Sequence, residues 1–117
     1  MTERERLEKL YTELSNLLPL CHPEFKLENH CYLRIANDLA CMGQWDKIVE
    51  RPFIRNAKDK QLHKSVKFLS DMIVFDCRST KQRVQFMNKL SLGFRGNSVP
   101  KNLAEYPVTP EEAFKSN

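Results

Sequence analysis

The sequence predicts an all-α fold: a small single-domain helical bundle of three to four helices over residues 1–96 and an extended C-terminal tail over residues 97–117. Three observations predict it. The chain of 117 residues has the length of one ordinary domain. Its composition is that of a globular protein, with 41% hydrophobic residues, 29% charged residues and only three glycines. Its apolar residues recur at steps of three and four, the period of a helix face.

The first helix is predicted from an apolar stripe that begins at residue 7. The stripe comprises Leu7, Leu10, Tyr11, Leu14, Leu17 and Leu18. Thr2 and Glu5 have the spacing of a capping box, in which each side chain satisfies a free amide of the first turn. Pro19 is predicted to end the helix, because its ring obstructs a continuing turn.

A second helix is predicted between Asn29, a capping residue, and Gly43, a stop signal. One face of it carries Tyr32, Ile35, Ala36 and Leu39. A short apolar turn around residues 45–49 and a connector over 53–56 follow.

The third helix is predicted over residues 57–75, and its wide apolar arc indicates a central place in the core. Residues 72–75 would also suit a strand, so the end of this helix stays open. Ser79 and Gln82 form a second capping-box pattern, which predicts a fourth helix with Gly93 as its C-terminal cap. From Gly96 onward the prolines predict extended or turn-like structure, with room for a short terminal helix.

Positive charge is concentrated in the second half of the chain. Formal charge is −3 over residues 1–46, +9 over 47–101 and −2 over 102–117, within a net charge of +4. A localised positive field attracts polyanions even at modest net charge. If the helices lie side by side, their basic groups would form one patch. The candidate nucleic-acid-binding residues are Arg51, Arg55, Lys58, Lys60, His63, Lys64, Lys67, Arg78, Lys81 and Arg83.

These features predict a small non-enzymatic binding module that associates with nucleic acid through a basic helical face. No motif for reading base sequence is visible, so the expected contacts are with phosphates. An ordinary solvated helix face explains the same charge pattern. An alternative function is a protein–protein adaptor or inhibitor, of the accessory type found in mobile elements and phages, that docks on an acidic partner surface. A homo-oligomer is also compatible with the sequence.

Cysteine and histidine placement favours neither a metal site nor an enzyme. The pairs Cys21–His22 and His30–Cys31 supply zinc-binding side chains, but adjacent ligands chelate poorly compared with the usual spacing of two to four residues. Phosphate-binding glycine loops and nucleophile elbows are absent from the sequence. We therefore predict no catalytic residues, metal ligands or cofactor, while a zinc- or thiol-dependent enzyme remains the third hypothesis.

The sequence predicts a cytoplasmic protein without a membrane partner. It contains no apolar run near the roughly 20 residues that span a bilayer. Its first residues are charged, unlike a signal peptide. Without secretion, the four cysteines are expected to remain free thiols.

Overall fold

Helices make up most of the chain in the computed structural model, which describes residues 1–73 and 77–96, with only the backbone described for 77–79. Five α-helices are present in these ranges: α1 (Glu3–Cys21), α2 (Asn29–Cys41), α3 (Phe53–Asn56), α4 (Asp59–Asp71) and α5 (Cys77–Phe94). Short 3-10 turns occupy Pro23–Phe25 and Trp45–Lys47. The described residues contain no strand, and the all-α bundle prediction is confirmed. Residues 97–117, the predicted tail, lie outside the description.

The central helix of the bundle is α2, which packs against α1, α4 and α5. It runs antiparallel to α1, because Asn29 at its start donates to Asn16 Oδ1 (3.1 Å) and Asn37 near its end donates to Tyr11 Oη (2.9 Å). The helix predicted to be central to the core, the third one, corresponds to α4, which packs against both α1 and α2. The packing of α2 also includes polar contacts that hydrophobic periodicity does not reveal.

Two contacts show that α1 and α4 run in the same direction. At their N-terminal ends, Arg4 Nη1 lies 2.7 Å from Asp59 Oδ1. At their C-terminal ends, the buried His22 donates from Nε2 to the carbonyl of Met72 at 2.6 Å. Both helices thereby cover α2 along its length. The buried apolar core includes Leu7, Tyr11, Leu18, Tyr32, Ile35, Leu39, Phe53, Leu62, Leu69, Met72 and Met87.

The start of α1 follows the sequence prediction, but its end does not. Thr2 Oγ1 accepts from the backbone N–H of Glu5 at 3.1 Å, as the capping box requires. The helix then continues past Pro19 to Cys21, so the predicted stop at Pro19 was wrong. Proline removes one amide donor, yet its φ suits a helix, and the N–H of His22 still closes the last turn on Leu18 O at 3.1 Å.

Both ends of α2 differ slightly from their predicted signals. Glu28 occupies the N-cap position, and the side chain of Asn29 instead accepts from the N–H of His30 at 2.9 Å. At the other end Met42 adopts the left-handed conformation, with φ of 53°, and Gly43 donates to Asp38 O at 3.1 Å. A Cβ at residue 43 would approach Ile48 Cδ1 at 3.0 Å, so a larger residue there requires a small shift of that side chain.

The predicted third helix over 57–75 is shorter in the structure, where α4 spans Asp59–Asp71. Residues 53–56, predicted as a connector, form α3, and Ala57 and Lys58 are extended before α4 begins. The N–H of Lys58 donates to Gln61 Oε1 at 2.8 Å, which supports this new start. After Asp71, residues 72 and 73 form a turn, and residues 74–76 lie outside the description.

The last helix is longer than predicted at both ends. It begins at Cys77, before the predicted cap at Ser79, and it includes Gly93, which therefore is not the cap. Gly96 takes the left-handed conformation instead, with φ of 85°. Just past the helix, the side chain of Arg95 reaches a carboxylate on α2.

That carboxylate belongs to Asp38, which has no exposed surface. Ser91 Oγ donates to its Oδ2 at 2.6 Å, and Arg95 donates from Nε to Oδ2 at 2.8 Å and from Nη2 to Oδ1 at 3.1 Å. The N–H of Trp45 completes the set with a 2.9 Å bond to Oδ1. One buried side chain thus joins α2 to the end of α5 and to the 3-10 turn after α2.

We expect Asp38→Asn to lower the free energy of unfolding by about 3 kcal/mol or more. The substitution removes the buried negative charge that faces Arg95. It also places the N–H donors of the asparagine amide opposite groups that are themselves hydrogen-bond donors. Urea denaturation measures the loss. Asp59→Asn is the matched control: it removes an arginine partner, Arg4, at a side chain that is 82% exposed, where an ion pair contributes little. Equal losses in the two variants would contradict a special role for Asp38.

Candidate functional site

The outer face of α4 carries a row of basic side chains. The inner face of the helix is buried and consists of Leu62, Ser65, Val66 and Leu69. The opposite face exposes what we call the basic strip, Lys60, His63, Lys64 and Lys67. This arrangement follows directly from the helical period, since positions separated by three, four and seven residues share one face.

The lysines of the basic strip are not neutralised by neighbouring acids. In the described ranges, no carboxylate oxygen lies within 4.0 Å of their ammonium groups. Asp71 follows Lys67 by four residues on α4; burial raises its pKa, and the charges of Arg83 and Lys67 lower it by a smaller amount. Within the described residues, the exposed lysines of the strip therefore carry their charge without an ion pair.

The remaining predicted residues fall into three places. Arg55 and Lys58 are exposed and precede the strip in the chain, at the end of α3 and just before α4. Arg51 lies apart: it pairs with Asp46 at 3.0 Å and its guanidinium lies 5.1 Å from the ring centroid of Trp45.

On α5, Lys81 Nζ lies 3.4 Å from Glu24 Oε1, and Arg83 lies near Asp71. The side chain of Arg78 is outside the description. Both α4 and α5 pack on α2, and no extensive contact joins them to each other in the described residues. The structure therefore places Lys60, His63, Lys64 and Lys67 on one face of α4, whereas Arg55 and Lys58 precede this helix and Lys81 and Arg83 lie on α5.

The cysteine–histidine pairs are not assembled as a metal site in the part of the chain that the structure describes. No group of three or more His, Cys, Asp or Glu side chains there is placed to hold an ion. His22 is buried against Met72, while His30 is exposed beside Glu28. Cys21, Cys31 and Cys41 are free thiols, and burial raises the pKa of the Cys41 thiol.

Sequence reasoning missed a second positively charged region, a cavity of about 470 Å³ between α1, α2, the 45–54 segment and the end of α5. We call it the arginine pocket. Three arginines line it: Arg34, Arg51 and Arg95. The rest of the lining is mainly aromatic or apolar, namely Tyr11, Leu33, Trp45, Pro52, Phe53 and Ile54, with His30 and Asn37.

The guanidinium of Arg34 is held by neutral side chains. It donates from Nη2 to Asn88 Oδ1 at 2.6 Å and from Nη1 to Ser91 Oγ at 3.2 Å. Burial lowers the pKa of Arg34, and the charge of Asp38 acts in the opposite direction. Among the described residues no carboxylate lies within ion-pair distance of it, since Asp38 is engaged by Arg95 and Ser91.

The other two arginines of the pocket are neutralised. Arg95 pairs with Asp38, and Arg51 pairs with Asp46. Burial alone would raise the pKa of Asp46, but hydrogen bonds, with Arg51 foremost among them, outweigh it and lower the pKa. The sequence contains one indication of this pocket, the four-residue spacing of Arg34 and Asp38 on a predicted helix. Arg51 and Arg95 are distant in the chain, and no sequence pattern links them to Arg34.

Comparison of the chain with protein-family models, curated proteins and solved structures found no match. Function must therefore be argued from the residues of this chain.

Within residues 1–73 and 77–96, no helix combines the length and the apolar character needed to cross a membrane.

The burial of Tyr11 in the wall of the arginine pocket can be tested through the pH dependence of the protein's stability. Its hydroxyl is hydrogen-bonded to Asn37 and its ring stacks on Phe53 at 5.8 Å between centroids. Burial raises its pKa from 10.0 to about 12. Between these two values the unfolded chain loses this proton while the folded chain keeps it, so ionisation favours unfolding.

The stabilising effect of the protonated Tyr11 is thus complete below pH 10 and is lost as pH rises to about 12. Between pH 10 and about 12, the free energy of unfolding should fall less in Tyr11→Phe, which lacks this proton, than in the unsubstituted protein. The expected difference between the two falls is about 2 kcal/mol. Denaturant unfolding at several alkaline pH values measures both curves, and contributions from other groups cancel in their difference. Parallel curves would contradict the buried, protonated hydroxyl.

Proposed function

We propose that the chain is a small cytoplasmic binding module without enzymatic activity that holds nucleic acid by its phosphates through the basic strip, Arg55 and Lys58. The observation that carries the proposal is the set of exposed lysines along one face of α4 without ion-pair partners in the described residues. Displacing the condensed counterions of a nucleic acid favours binding to such a row of charges.

The dimensions of the strip are compatible with several phosphate contacts. A helix rises 1.5 Å per residue, so Lys60 and Lys67 are about 10 Å apart along the axis. One strand of a duplex presents about three phosphates over that length. Lysine is a flexible point charge rather than a planar fork, which suits contact with phosphates and not the reading of bases. The proposed binding is accordingly independent of base sequence.

We expect the triple variant Lys60→Gln, Lys64→Gln, Lys67→Gln to bind duplex DNA and RNA about tenfold or more weakly, because three phosphate contacts are lost. The slope of log affinity against log salt concentration should fall by about 2 to 3 in magnitude. Fluorescence anisotropy with labelled duplexes at several salt concentrations gives both quantities.

The matched control is the triple variant Lys9→Gln, Lys26→Gln, Lys47→Gln, which removes the same charge from exposed sites off α4. It should retain nearly the original affinity and salt slope. Equal effects of the two triple variants would mean that only net charge matters, and absent or salt-independent binding would refute the proposal.

A protein partner is the second candidate, and one observation favours it. Leu17 and Leu20, near the end of α1, are 47% and 78% exposed, which a nucleic-acid surface would not use. An adaptor or inhibitor of this kind would hold an acidic partner, or a second copy of the chain, through apolar contacts beside its positive charge.

Affinity purification with and without nuclease distinguishes the two candidates. Nucleic-acid binding predicts that co-purifying material is lost after nuclease treatment. An adaptor predicts a stoichiometric protein that survives nuclease and is lost in the Leu17→Ser, Leu20→Ser variant. Neither substitution touches the basic strip, so DNA and RNA affinity should be unchanged in that variant.

A further inference from the structure

We propose that the arginine pocket binds a small organic anion in which a planar ring carries a carboxylate or a phosphate, with Arg34 as the group that recognises the charge. This site is separate from the basic strip and does not depend on the nucleic-acid proposal. Three properties of the pocket lead to this inference: its size and apolar walls, the uncompensated charge of Arg34, and the rigid placement of that charge.

The size and walls of the pocket suit a ring-containing small molecule. Ligand sites have volumes of about 300 to 1,000 Å³ and are lined mostly by apolar and aromatic groups with a few polar ones; the arginine pocket, at about 470 Å³, has this character. Phe53 stacks on Tyr11 and meets Trp45 edge-on at 5.6 Å, so the aromatic wall is braced before any ligand arrives.

Among the described residues, Arg34 is the arginine of the pocket that has no carboxylate within ion-pair distance. Arg51 pairs with Asp46, and Arg95 pairs with both Asp38 and Asp46. Within the described ranges Arg34 donates to the neutral acceptors Asn88 and Ser91, and the charge of Asp38 acts on it without direct contact. A guanidinium has five N–H donors, and the described structure supplies acceptors for two of them. A carboxylate or a phosphate on the ligand would provide the missing counter-charge and accept two parallel hydrogen bonds.

The placement of Arg34 is fixed by the same network that holds the bundle together. Ser91 accepts from Arg34 and donates to Asp38, so the hydroxyl of Ser91 is oriented towards the carboxylate and its lone pairs towards the guanidinium. Asn88 holds the second nitrogen of the fork. A guanidinium that is already immobilised loses little conformational entropy when it binds an anion.

Trp45 makes the proposal directly measurable, since it is the single tryptophan of the chain and it lines the pocket. We would titrate the full-length protein with adenosine 5′-monophosphate and with nicotinate while following tryptophan fluorescence. Each has a neutral analogue, adenosine and nicotinamide, and inorganic phosphate serves as the anion without a ring. The two arms separate a phosphate ligand from a carboxylate ligand.

We expect a saturable change in Trp45 fluorescence with at least one of the two ring-bearing anions, and about tenfold or weaker affinity for its neutral analogue and for inorganic phosphate. Absence of saturable binding by both anions would overturn the proposal. So would equal binding of the charged and neutral analogues, because recognition would then not involve the charge.

Variants of Arg34 assign the recognition to this residue. Arg34→Gln should weaken anion binding by about tenfold or more, and Arg34→Lys, which keeps the charge but not the fork, should have an intermediate effect. Circular dichroism checks that each variant is folded. Lys9→Gln, which removes one exposed charge outside the pocket, is the matched control and should bind like the unsubstituted protein. Unchanged affinity in a folded Arg34→Gln would overturn the assignment.

The outcome is distinguishable from that of the nucleic-acid proposal. The triple variant Lys60→Gln, Lys64→Gln, Lys67→Gln leaves every residue of the arginine pocket in place. It should therefore retain the fluorescence response to the small anion. If the response were lost in this variant, the anion would be binding at the basic strip, and the pocket proposal would be wrong.

Discussion

The buried carboxylate of Asp38 is the interaction on which much of this structure depends. Removing an ionised side chain from water is costly, and the cost is offset only when hydrogen bonds and an opposite charge surround it. Asp38 obtains these from two separate parts of the chain: Ser91 on α5 with Arg95 just past its end, and the backbone of Trp45 after α2. Because each donor must be in place for the carboxylate to be accommodated, the end of α5 and the start of the 45–54 segment are fixed relative to α2.

Because Arg95 pairs with Asp38, a second arginine, Arg34 on α2, has no direct ion pair with this carboxylate. Arg34, one helical turn earlier on α2, would be the expected partner of an aspartate four residues away. Arg95 makes the direct contacts instead, and Arg34 reaches Asp38 only through Ser91. The arrangement leaves a fixed guanidinium facing a cavity. It differs from the lysines on α4, which are exposed and bear no ion pair in the described residues. For this reason the proposed partners differ as well: an extended polyanion for the strip and a compact anion for the pocket.

Sequence patterns predicted those features that depend on residues close in the chain. The cap at Thr2 and the basic strip both follow from spacings within two turns of a helix. Predictions failed where distant contacts matter: Gly93 has the character of a helix end, yet α5 continues to Phe94, and Arg95 just beyond it pairs with Asp38 on α2. The arginine pocket was missed for the same reason. Arg34, Arg51 and Arg95 come from three separate segments, and hydrophobic periodicity within a segment does not predict that they lie close together.

The polar residues inside the core explain why the helices pack against one another in a single register. Apolar faces of two helices can pack in several registers at similar cost, because dispersion and burial are not directional. Asn37 and Asp38 are adjacent on α2 and buried, and they face different neighbours: Asn37 is bonded to Tyr11 on α1 and Ser65 on α4, whereas Asp38 is bonded to α5. A shift of any of these helices along α2 would leave a buried polar group without its partner, at a cost of about 1 to 3 kcal/mol for each one. Neighbouring positions on one helix thereby set the register of the other three. The walls of the arginine pocket come from α1, α2, the 45–54 segment and the end of α5, so its shape depends on that register.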